Sequence, residues 1–329
     1  MNAHVKRFPG ILLCIAIAIV GYFLGRLLPI VGGPVFGIIL GMLIATIRRP
    51  AAVFQSGIKF SSKVVLQVSI VLFGATFNLH EVVGTGLWSL PVMLGTLAIT
   101  LVAAYVIGRM LNTSWILRTL IGVGTAICGA SAIAAISGVI DAENPELAYA
   151  ISTVFLFNIV AVLLFPSIGH LMHLSQQAFG LWAGTAINDT SSVVAAGFAY
   201  GHEAAAQAVI VKLTRTTLII PIVIAFGVNR VLREKRSGSI DWVAIIPWFI
   251  LWFVAASAAN SAGLIPQTWH GGLTTSAVFL IVVALAGVGL CADFKKMRET
   301  GPKPLLLGLL LWVIIASSSL AIARAMHLA

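Results

Sequence analysis

The apolar residues of this chain fall into long runs whose length suits a lipid bilayer. A helix needs about 20 mainly apolar residues to cross the hydrocarbon core. Polar residues and turn formers separate the runs, and the pattern predicts eleven helical spans. Their approximate bounds are 9–29, 33–48, 64–79, 88–111, 115–139, 144–169, 176–200, 203–229, 241–259, 273–294 and 304–326. We therefore predict an all-α polytopic membrane protein, with a single integral membrane domain over residues 1–329.

Composition supports the same class. Hydrophobic residues make up 60% of the 329 residues and charged residues only 9%. Soluble domains carry about 25% charged residues, and a soluble chain this poor in charge would expose large apolar patches and aggregate. The composition excludes a soluble enzyme, a nucleic-acid binder and a disordered protein. The predicted surroundings are the lipid bilayer, and no nucleic acid is expected as a partner.

The net charge of +10 is mainly a signal of orientation. Cytoplasmic loops of membrane proteins collect Lys and Arg. If the N-terminus is cytoplasmic, 16 of the 20 basic residues fall on the cytoplasmic side, and only Arg26 and Arg324 lie at outer ends. The 16 are Lys6, Arg7, Arg48, Arg49, Lys59, Lys63, Arg109, Arg118, Arg230, Arg233, Lys235, Arg236, Lys295, Lys296, Arg298 and Lys303. We predict a bacterial inner (plasma) membrane protein with a cytoplasmic N-terminus and a periplasmic C-terminus.

An internal repeat is suggested by two Gly-Val-Gly triplets, at 122–124 and 287–289, about half the chain apart. Each triplet is followed closely by a cysteine. If span 9–29 is set aside as an extra helix, the other spans form two sets of five, at about 33–169 and 176–326. Because each set has an odd number of spans, the second set enters the membrane in the orientation opposite to that of the first. Inverted-topology repeats of this kind are typical of transporters.

The fifth span is rich in glycine, with three glycines between Gly122 and Gly129. Glycine costs about 1 kcal/mol against alanine inside a helix, so we expect this helix to be broken near mid-membrane. The N–H groups freed at a half-helix form a ready anion site. Small residues for close helix packing are the alternative, which we favour for the tenth span. The candidate substrate-binding residues of the fifth span are Thr125, Cys128, Gly129 and Ser131.

Three ionisable residues lie well inside spans: Asp189, Lys212 and Arg215. A charge at the centre of a spanning helix costs about 2.5–3.5 kcal/mol on insertion scales. The two cations are three positions apart and share a helix face. Their sum with Asp189 is +1, which suits an anionic substrate, while a structural ion pair with Asp189 is the alternative. The candidate substrate-binding residues here are Asn188, Asp189, Thr190, Ser191, Lys212 and Arg215.

Other polar positions carry less specific expectations. Asn158 is isolated in an apolar helix, where it could serve a site or make an interhelical hydrogen bond, and we favour the hydrogen bond. For Asp293, beside Lys295 and Lys296, we favour a role at a helix end over contact with the substrate. The three cysteines have no metal-ligand spacing, and the zinc-protease, serine-hydrolase and phosphate-loop motifs are missing or incomplete. We expect no catalytic residues, no metal and no cofactor, hence no enzyme.

These motifs resemble those of a known family. Residues 122–135, the stretch 184–197 (Gly-Thr-Ala-Ile-Asn-Asp-Thr-Ser-Ser-Val-Val-Ala-Ala-Gly), the run Lys212-Leu-Thr-Arg215 and residues 289–294 resemble the YeiH-type family of bacterial inner-membrane proteins, also named a family of sulfate exporters. The resemblance covers nearly the whole chain. It implies a fold similar to the sodium/proton antiporter and bile-acid symporter group, with inverted five-helix repeats and two broken helices that cross. We expect the crossing helices to be spans five and ten.

The sequence thus favours a secondary transporter that exports a small anion such as sulfate, sulfite or a sulfonate. A proton- or sodium-coupled carboxylate symporter is the second hypothesis. A membrane sensor or a structural subunit without flux is the third. Several properties stay open: the substrate, the direction, coupling to a proton or sodium ion, assembly into a homo-oligomer, and the role of Asp189 as proton carrier or structural partner.

Overall fold

The computed structural model describes residues 3–28, 32–234, 247–293 and 301–328, and this part of the chain is helical without strands. The helices are α1 Ala3–Leu27, α2 Gly33–Ile47, α3 Ala52–Phe60, α4 Leu66–Gly74, α5 Leu79–Met110, α6 Trp115–Ala126, α7 Ala130–Ser137, α8 Asn144–Leu171, α9 Gln176–Ala186, α10 Thr190–Tyr200, α11 His202–Thr217, α12 Ile219–Glu234, α13 Trp248–Ser261, α14 Gln267–Leu290 and α15 Pro302–Ala325. A π-helical turn, Ser61–Val65, joins α3 to α4.

Seven helical segments of the described residues are long and apolar enough to cross a bilayer, judged by length and composition. They are Arg7–Leu27, Ala52–Gly74, Leu79–Met110, Asn144–Leu171, His202–Phe226, Gln267–Leu290 and Pro302–Ala325. Further apolar helices are shorter than a full span, among them Gly33–Ile47, Trp115–Ala126 and Trp248–Ser261. The prediction of an all-α polytopic membrane protein is confirmed. The predicted start of the ninth span, at 241–246, lies outside the described residues.

The third predicted span, 64–79, had the wrong bounds. Helical structure begins at Ala52 and continues through the π-helical turn to Gly74. Lys59 and Lys63 interrupt the apolar run in the sequence, but both are exposed while Ile58 is fully buried. Charges on the exposed face of a helix do not end it, so the run of apolar residues underestimated the length of this helix.

The tenth predicted span is not broken. Helix α14 continues without interruption from Gln267 to Leu290. Its glycines instead allow close approach of other helices: a Cβ on Gly287 would lie 2.9 Å from the backbone nitrogen of Ser62, and one on Gly289 would lie 2.3 Å from the carbonyl oxygen of Ile38. The expectation that span ten is a broken crossing helix is therefore wrong, and the packing alternative is correct for these two glycines.

The chain divides into two compact units. The first comprises Met1–Thr85, Val194–His202 and Trp248–Phe294; the second comprises Gly86–Val193, Glu203–Pro247 and Lys295–Ala329. The core of the first unit includes Cys14, Ile58, Val282, Val283 and Ala286. The core of the second includes Leu120, Ile121, Ile133, Val154, Leu307 and Leu311. The extra helix followed by two five-helix repeats stays a prediction.

Asp293 lies just beyond the C-terminus of α14, in the first unit. Its carboxylate forms an ion pair with Arg49, which follows α2. The expected role at a helix end fits this contact, because the pair joins the ends of two neighbouring helices. Lys295 and Lys296, the expected neighbours of Asp293, lie outside the described residues.

Candidate functional site

The first feature of the site is a break between α6 and α7. Helix α6 ends at Ala126 and α7 begins at Ala130, so the predicted interruption of the fifth span is present. Gly129 precedes α7 with φ 69° and ψ −131°, a conformation that side chains other than glycine seldom adopt. Ile127 is also far from helical geometry, with φ −123° and ψ −89°. The break is therefore built into the backbone at a position that requires glycine.

A second break separates α9, which ends at Ala186, from α10, which begins at Thr190. Two side chains accept hydrogen bonds from backbone N–H groups at this break. Asn158 Oδ1 accepts from the backbone N–H groups of Asn188 at 3.1 Å and Asp189 at 3.2 Å. Asp189 Oδ2 accepts from the N–H of Ser191 at 2.9 Å and also from its hydroxyl. The interhelical hydrogen bond expected for Asn158 is confirmed, and it fixes the second break.

Lys212 on α11 joins the two breaks. Its Nζ donates to the carbonyl oxygen of Ile127 at 2.7 Å and to that of Ile187 at 3.0 Å. These two carbonyls occupy the same place in the two interrupted helices, directly after the last helical residue. The Lys212 side chain is completely buried. One ammonium group therefore brings the two breaks to within a few ångströms of each other.

Arg215, one turn further along α11, binds the carbonyls that end the two half-helices. Its Nε donates to Ala126 O at 2.9 Å, and its Nη2 donates to Ala126 O at 2.6 Å and to Thr125 O at 2.9 Å. Its Nη1 donates to Thr185 O. The last carbonyls of a helix lack intrahelical partners and carry the negative end of the helix dipole. Arg215, fully buried, supplies donors and positive charge where α6 and α9 need both.

The ion pair considered for Asp189 is not formed with Lys212 or Arg215. Among the described residues, no ion pair within 4.0 Å joins Asp189 to either cation. Asp189 is bound to Ser191 instead, at the N-terminus of α10. The two cations are thus held by backbone carbonyls, and their positive charge is not neutralised by direct contact with a carboxylate.

The remaining candidate residues differ in accessibility. Thr125 and Cys128 are buried. Ser131, in the first turn of α7, is exposed, whereas Thr190 is half-buried at the start of α10. All candidate residues thus lie at the two breaks or on the face of α11 that binds them. Their assignment to substrate binding stays a prediction.

Sequence reasoning missed a local duplication. The tetrapeptide Gly-Thr-Ala-Ile at 124–127 recurs at 184–187. The first copy ends α6 and the second ends α9, and each runs into its break. The same register places Gly129 opposite Asp189 and Ser131 opposite Ser191. This short repeat, together with the polar cluster at 185–192, was an available signal that spans five and seven form the pair of broken helices.

A hydroxyl contact also escaped prediction. Thr185, the equivalent of Thr125 in the second copy, shares a hydrogen bond with Ser319 on α15. Trp182, one turn earlier on α9, donates its indole N–H to Ala316 O at 2.9 Å. These contacts hold the end of α9 against α15. Within the described residues, no group of three or more His, Cys, Asp or Glu side chains could hold a metal ion.

Comparison with known proteins identifies the family. A family model described as conserved hypothetical protein 698 matches residues 9–308. A UPF0324 membrane protein of Streptococcus pyogenes serotype M3 is 42% identical over 332 residues, which cover 98% of each chain. A UPF0324 membrane protein of Fusobacterium nucleatum is 39% identical, with 97% of this chain and 98% of the relative covered. One of Clostridium tetani is 38% identical, with 94% and 95% covered.

These matches extend over nearly the whole chain and include both breaks and α11. They confirm the resemblance to the YeiH-type family. The relatives are named as membrane proteins, in agreement with the seven candidate spans. The chain therefore belongs to the UPF0324 family of multi-pass membrane proteins, described as conserved hypothetical protein 698.

Proposed function

We propose that this protein is a secondary transporter for a small anion and that its substrate binds at the two helix breaks of the second unit. The observation that carries the proposal is the pairing of the α6–α7 break with the α9–α10 break through Lys212. Non-helical backbone at membrane depth is tolerated where it is buried in protein or lines a cavity. Interrupted helices with such a site are typical of secondary transporters.

The charge at the breaks favours an anion. If all three groups are ionised, Lys212 and Arg215 contribute +2 and Asp189 contributes −1, which gives the cluster a net charge of +1. Because the two cations are occupied by backbone carbonyls, they attract the anion chiefly through their field. Field effects are strong here because a buried site has a low dielectric constant.

The family resemblance and the membrane potential bear on the substrate class and the direction of transport. The family resemblance suggests sulfate, sulfite or a sulfonate. Each elementary charge that crosses the membrane is worth about 2.3 kcal/mol per 100 mV. A divalent anion would therefore leave an inside-negative cell with a gain of roughly 4.6 kcal/mol at 100 mV. Export then needs no coupling ion, and we propose export as the physiological direction.

One observation favours the second hypothesis, a proton- or sodium-coupled carboxylate symporter. Asp189 is half-buried and has no cationic side chain within ion-pair distance among the described residues. A carboxylate in this position can take up a proton or a sodium ion. In that case, uptake of the anion would depend on a pH or sodium gradient.

The test is flux through the purified protein in proteoliposomes. Vesicles loaded with radiolabelled sulfate or sulfite, or with a labelled sulfonate, should release it faster than protein-free vesicles, and an inside-negative potential should increase the rate. Ala130→Leu fills the exposed start of α7 and should reduce the flux at least about tenfold. Ala134→Leu makes the same change at another exposed position of α7 and serves as the control.

The outcomes separate the hypotheses. Flux that appears only with an imposed sodium or proton gradient would establish the coupled symporter. If no anion of the panel moves in either direction while the protein remains folded, the transporter proposal fails and a sensor or structural subunit is favoured. Equal flux in the Ala130→Leu and wild-type proteins would show that the substrate does not bind at the α6–α7 break.

A further inference from the structure

The start of α6 and the start of α8 lie at the same end of the second unit. The hydroxyl of Ser114, which caps the start of α6, donates to Glu146 Oε1 at 2.8 Å, and Glu146 lies in the first turn of α8. Helix α6 has 12 residues and α7 has 8, so a chain that crossed the membrane through both would separate these ends by about 30 Å. The contact therefore requires the chain to turn back at the α6–α7 break.

The packing beside this break agrees with a turn. A Cβ on Gly124 of α6 would lie 2.7 Å from the side chain of Ile133 on α7, so the two arms lie side by side. The same Cβ would lie 3.4 Å from the side chain of Val154, further along α8 than Glu146. Contacts thus advance along α6 and α8 together, and the two helices are parallel. Helix α7 runs back between them in the opposite direction.

The α9–α10 segment turns back in the same way. Gln176 Oε1, in the first turn of α9, accepts from the backbone N–H of Ala204 at 3.1 Å, and Ala204 lies in the first turn of α11. Further along, a Cβ on Gly184 would lie 2.6 Å from the side chain of Val211. Helices α9 and α11 are therefore parallel, and the chain has returned to the start of α9 when α11 begins.

The two segments point in opposite directions. Asn158 binds the backbone N–H of Asn188, beyond the end of α9. Phe165, further along α8, stacks on Trp182, further back on α9, so α8 and α9 are antiparallel. Because α6 is parallel to α8, α6 and α9 approach each other from opposite ends, and their breaks meet at Lys212.

We infer that α6–α7 and α9–α10 are re-entrant hairpins, which enter the membrane from opposite faces and meet tip to tip at Lys212. Each hairpin separates the tips from one of the two aqueous phases, so each must move when an anion passes. The movement rests on the proposed function, whereas the hairpins rest on the contacts alone. The predicted spans 115–139 and 176–200 then do not cross the membrane, and the eleven predicted spans become nine, still an odd number.

The charge pattern is silent about this arrangement. No Lys or Arg occurs between Arg118 and Lys212, so the rule that places basic loops in the cytoplasm does not act on the connections from α7 to α11. Two of these connections change sides when the hairpins replace spans. Residues 138–143 move to the side of Arg109, and residues 172–175 move to the side of Glu203.

Cysteine labelling in right-side-out and inverted membrane vesicles tests the hairpins. The background is the full-length protein with Cys291→Ser, because Cys291 is exposed and the other two native cysteines are buried. Single cysteines are then introduced at exposed positions by Arg109→Cys, Glu143→Cys, Gln177→Cys and Glu203→Cys. A membrane-impermeant maleimide should label Glu143→Cys from the same side as Arg109→Cys. It should label Gln177→Cys from the same side as Glu203→Cys, and the two pairs from opposite sides.

Three outcomes would overturn the hairpins, and none of them depends on transport. Labelling of Glu143→Cys and Arg109→Cys from opposite sides would show that α6–α7 crosses the membrane. Labelling of Gln177→Cys and Glu203→Cys from opposite sides would show the same for α9–α10. Labelling of Arg109→Cys and Glu203→Cys from one side would mean that only one of the two segments turns back.

A reversible cross-link tests the movement. In the same background, Ser114→Cys combined with Glu146→Cys should react with a short, reducible bifunctional thiol reagent, since the wild-type side-chain oxygens are 2.8 Å apart. The link holds the base of α6–α7 against α8, so it should lower anion flux in proteoliposomes at least about tenfold until a reductant restores it. Each single variant, treated alike, is the control.

The flux results separate the inference from the proposed function. Full flux through the cross-linked protein would overturn the movement of α6–α7 and leave the transporter proposal intact. If the protein without the cross-link moves no anion, the proposed function fails and the movement fails with it, while the labelling result still decides whether the hairpins exist.

Discussion

The most demanding prediction concerns Arg215, because its guanidinium supports the ends of two helices at once. In the described structure, Arg215 donates the hydrogen bonds that the carbonyls of Thr125, Ala126 and Thr185 accept from outside their own helices, and Arg215→Leu would remove them. Each buried carbonyl left without a partner costs about 1–3 kcal/mol. Three of them would lower the free energy of unfolding by roughly 3–9 kcal/mol, before any compensation.

The compensation comes from the charge. Burial of a guanidinium carries a desolvation penalty, and replacing it with leucine removes that penalty. We therefore expect the lower end of the range, a loss of about 3 kcal/mol. Arg215→Lys keeps the charge but offers a single nitrogen without the planar fork, so it should fall between the leucine variant and the wild type.

The measurement is reversible unfolding of the purified protein in mixed micelles with increasing SDS, followed by tryptophan fluorescence. Trp182 on α9 is buried and stacks on Phe165 at 4.2 Å between ring centroids, so it reports on the helix that Arg215 binds. Arg109→Leu, at an exposed position, is the matched control and should change stability little. An unfolding free energy of Arg215→Leu within about 1 kcal/mol of wild type would refute the structural role. If anion affinity alone were lost, Arg215 would be a direct ligand instead.

Three further predictions concern other parts of the chain. Asn158→Leu should destabilise the protein by about 2–6 kcal/mol in the same unfolding assay, since it strands two backbone N–H groups, whereas Asn158→Asp keeps the acceptor and should cost less. Gly41→Ala should cost about 1–3 kcal/mol, because its Cβ would lie 2.4 Å from Ala286 O; Gly84→Ala, with no atom within 4 Å, should not destabilise. A topology reporter fused after Ala329 should score as periplasmic, and a cytoplasmic score would contradict the odd number of spans.

The amino-acid sequence by itself determined the class of the protein and located its buried polar groups. The cost of charge in a bilayer meant that Asp189, Lys212 and Arg215 had to find polar surroundings inside the protein. The glycines of the fifth span indicated a break, and Gly129 lies in it. Asn158 was recognised as an interhelical partner because an isolated amide cannot face lipid. These conclusions depend only on the free-energy cost of placing each residue type in a helix or in the bilayer, and that cost follows from the sequence alone.

Tertiary structure decided which groups bind the buried charged side chains and so compensate the free-energy cost of their burial. The sequence shows two cations and one carboxylate and leaves an ion pair as an alternative to anion binding. Folding placed the ends of α6 and α9 against α11, so backbone carbonyls bind Lys212 and Arg215. Backbone groups are the same at every residue, and their availability depends on where helices end and what lies opposite. The same reason applies to Gly287. In a sequence, a glycine that breaks a helix cannot be distinguished from a glycine that allows another helix to approach closely, because the distinction depends on which backbone lies opposite.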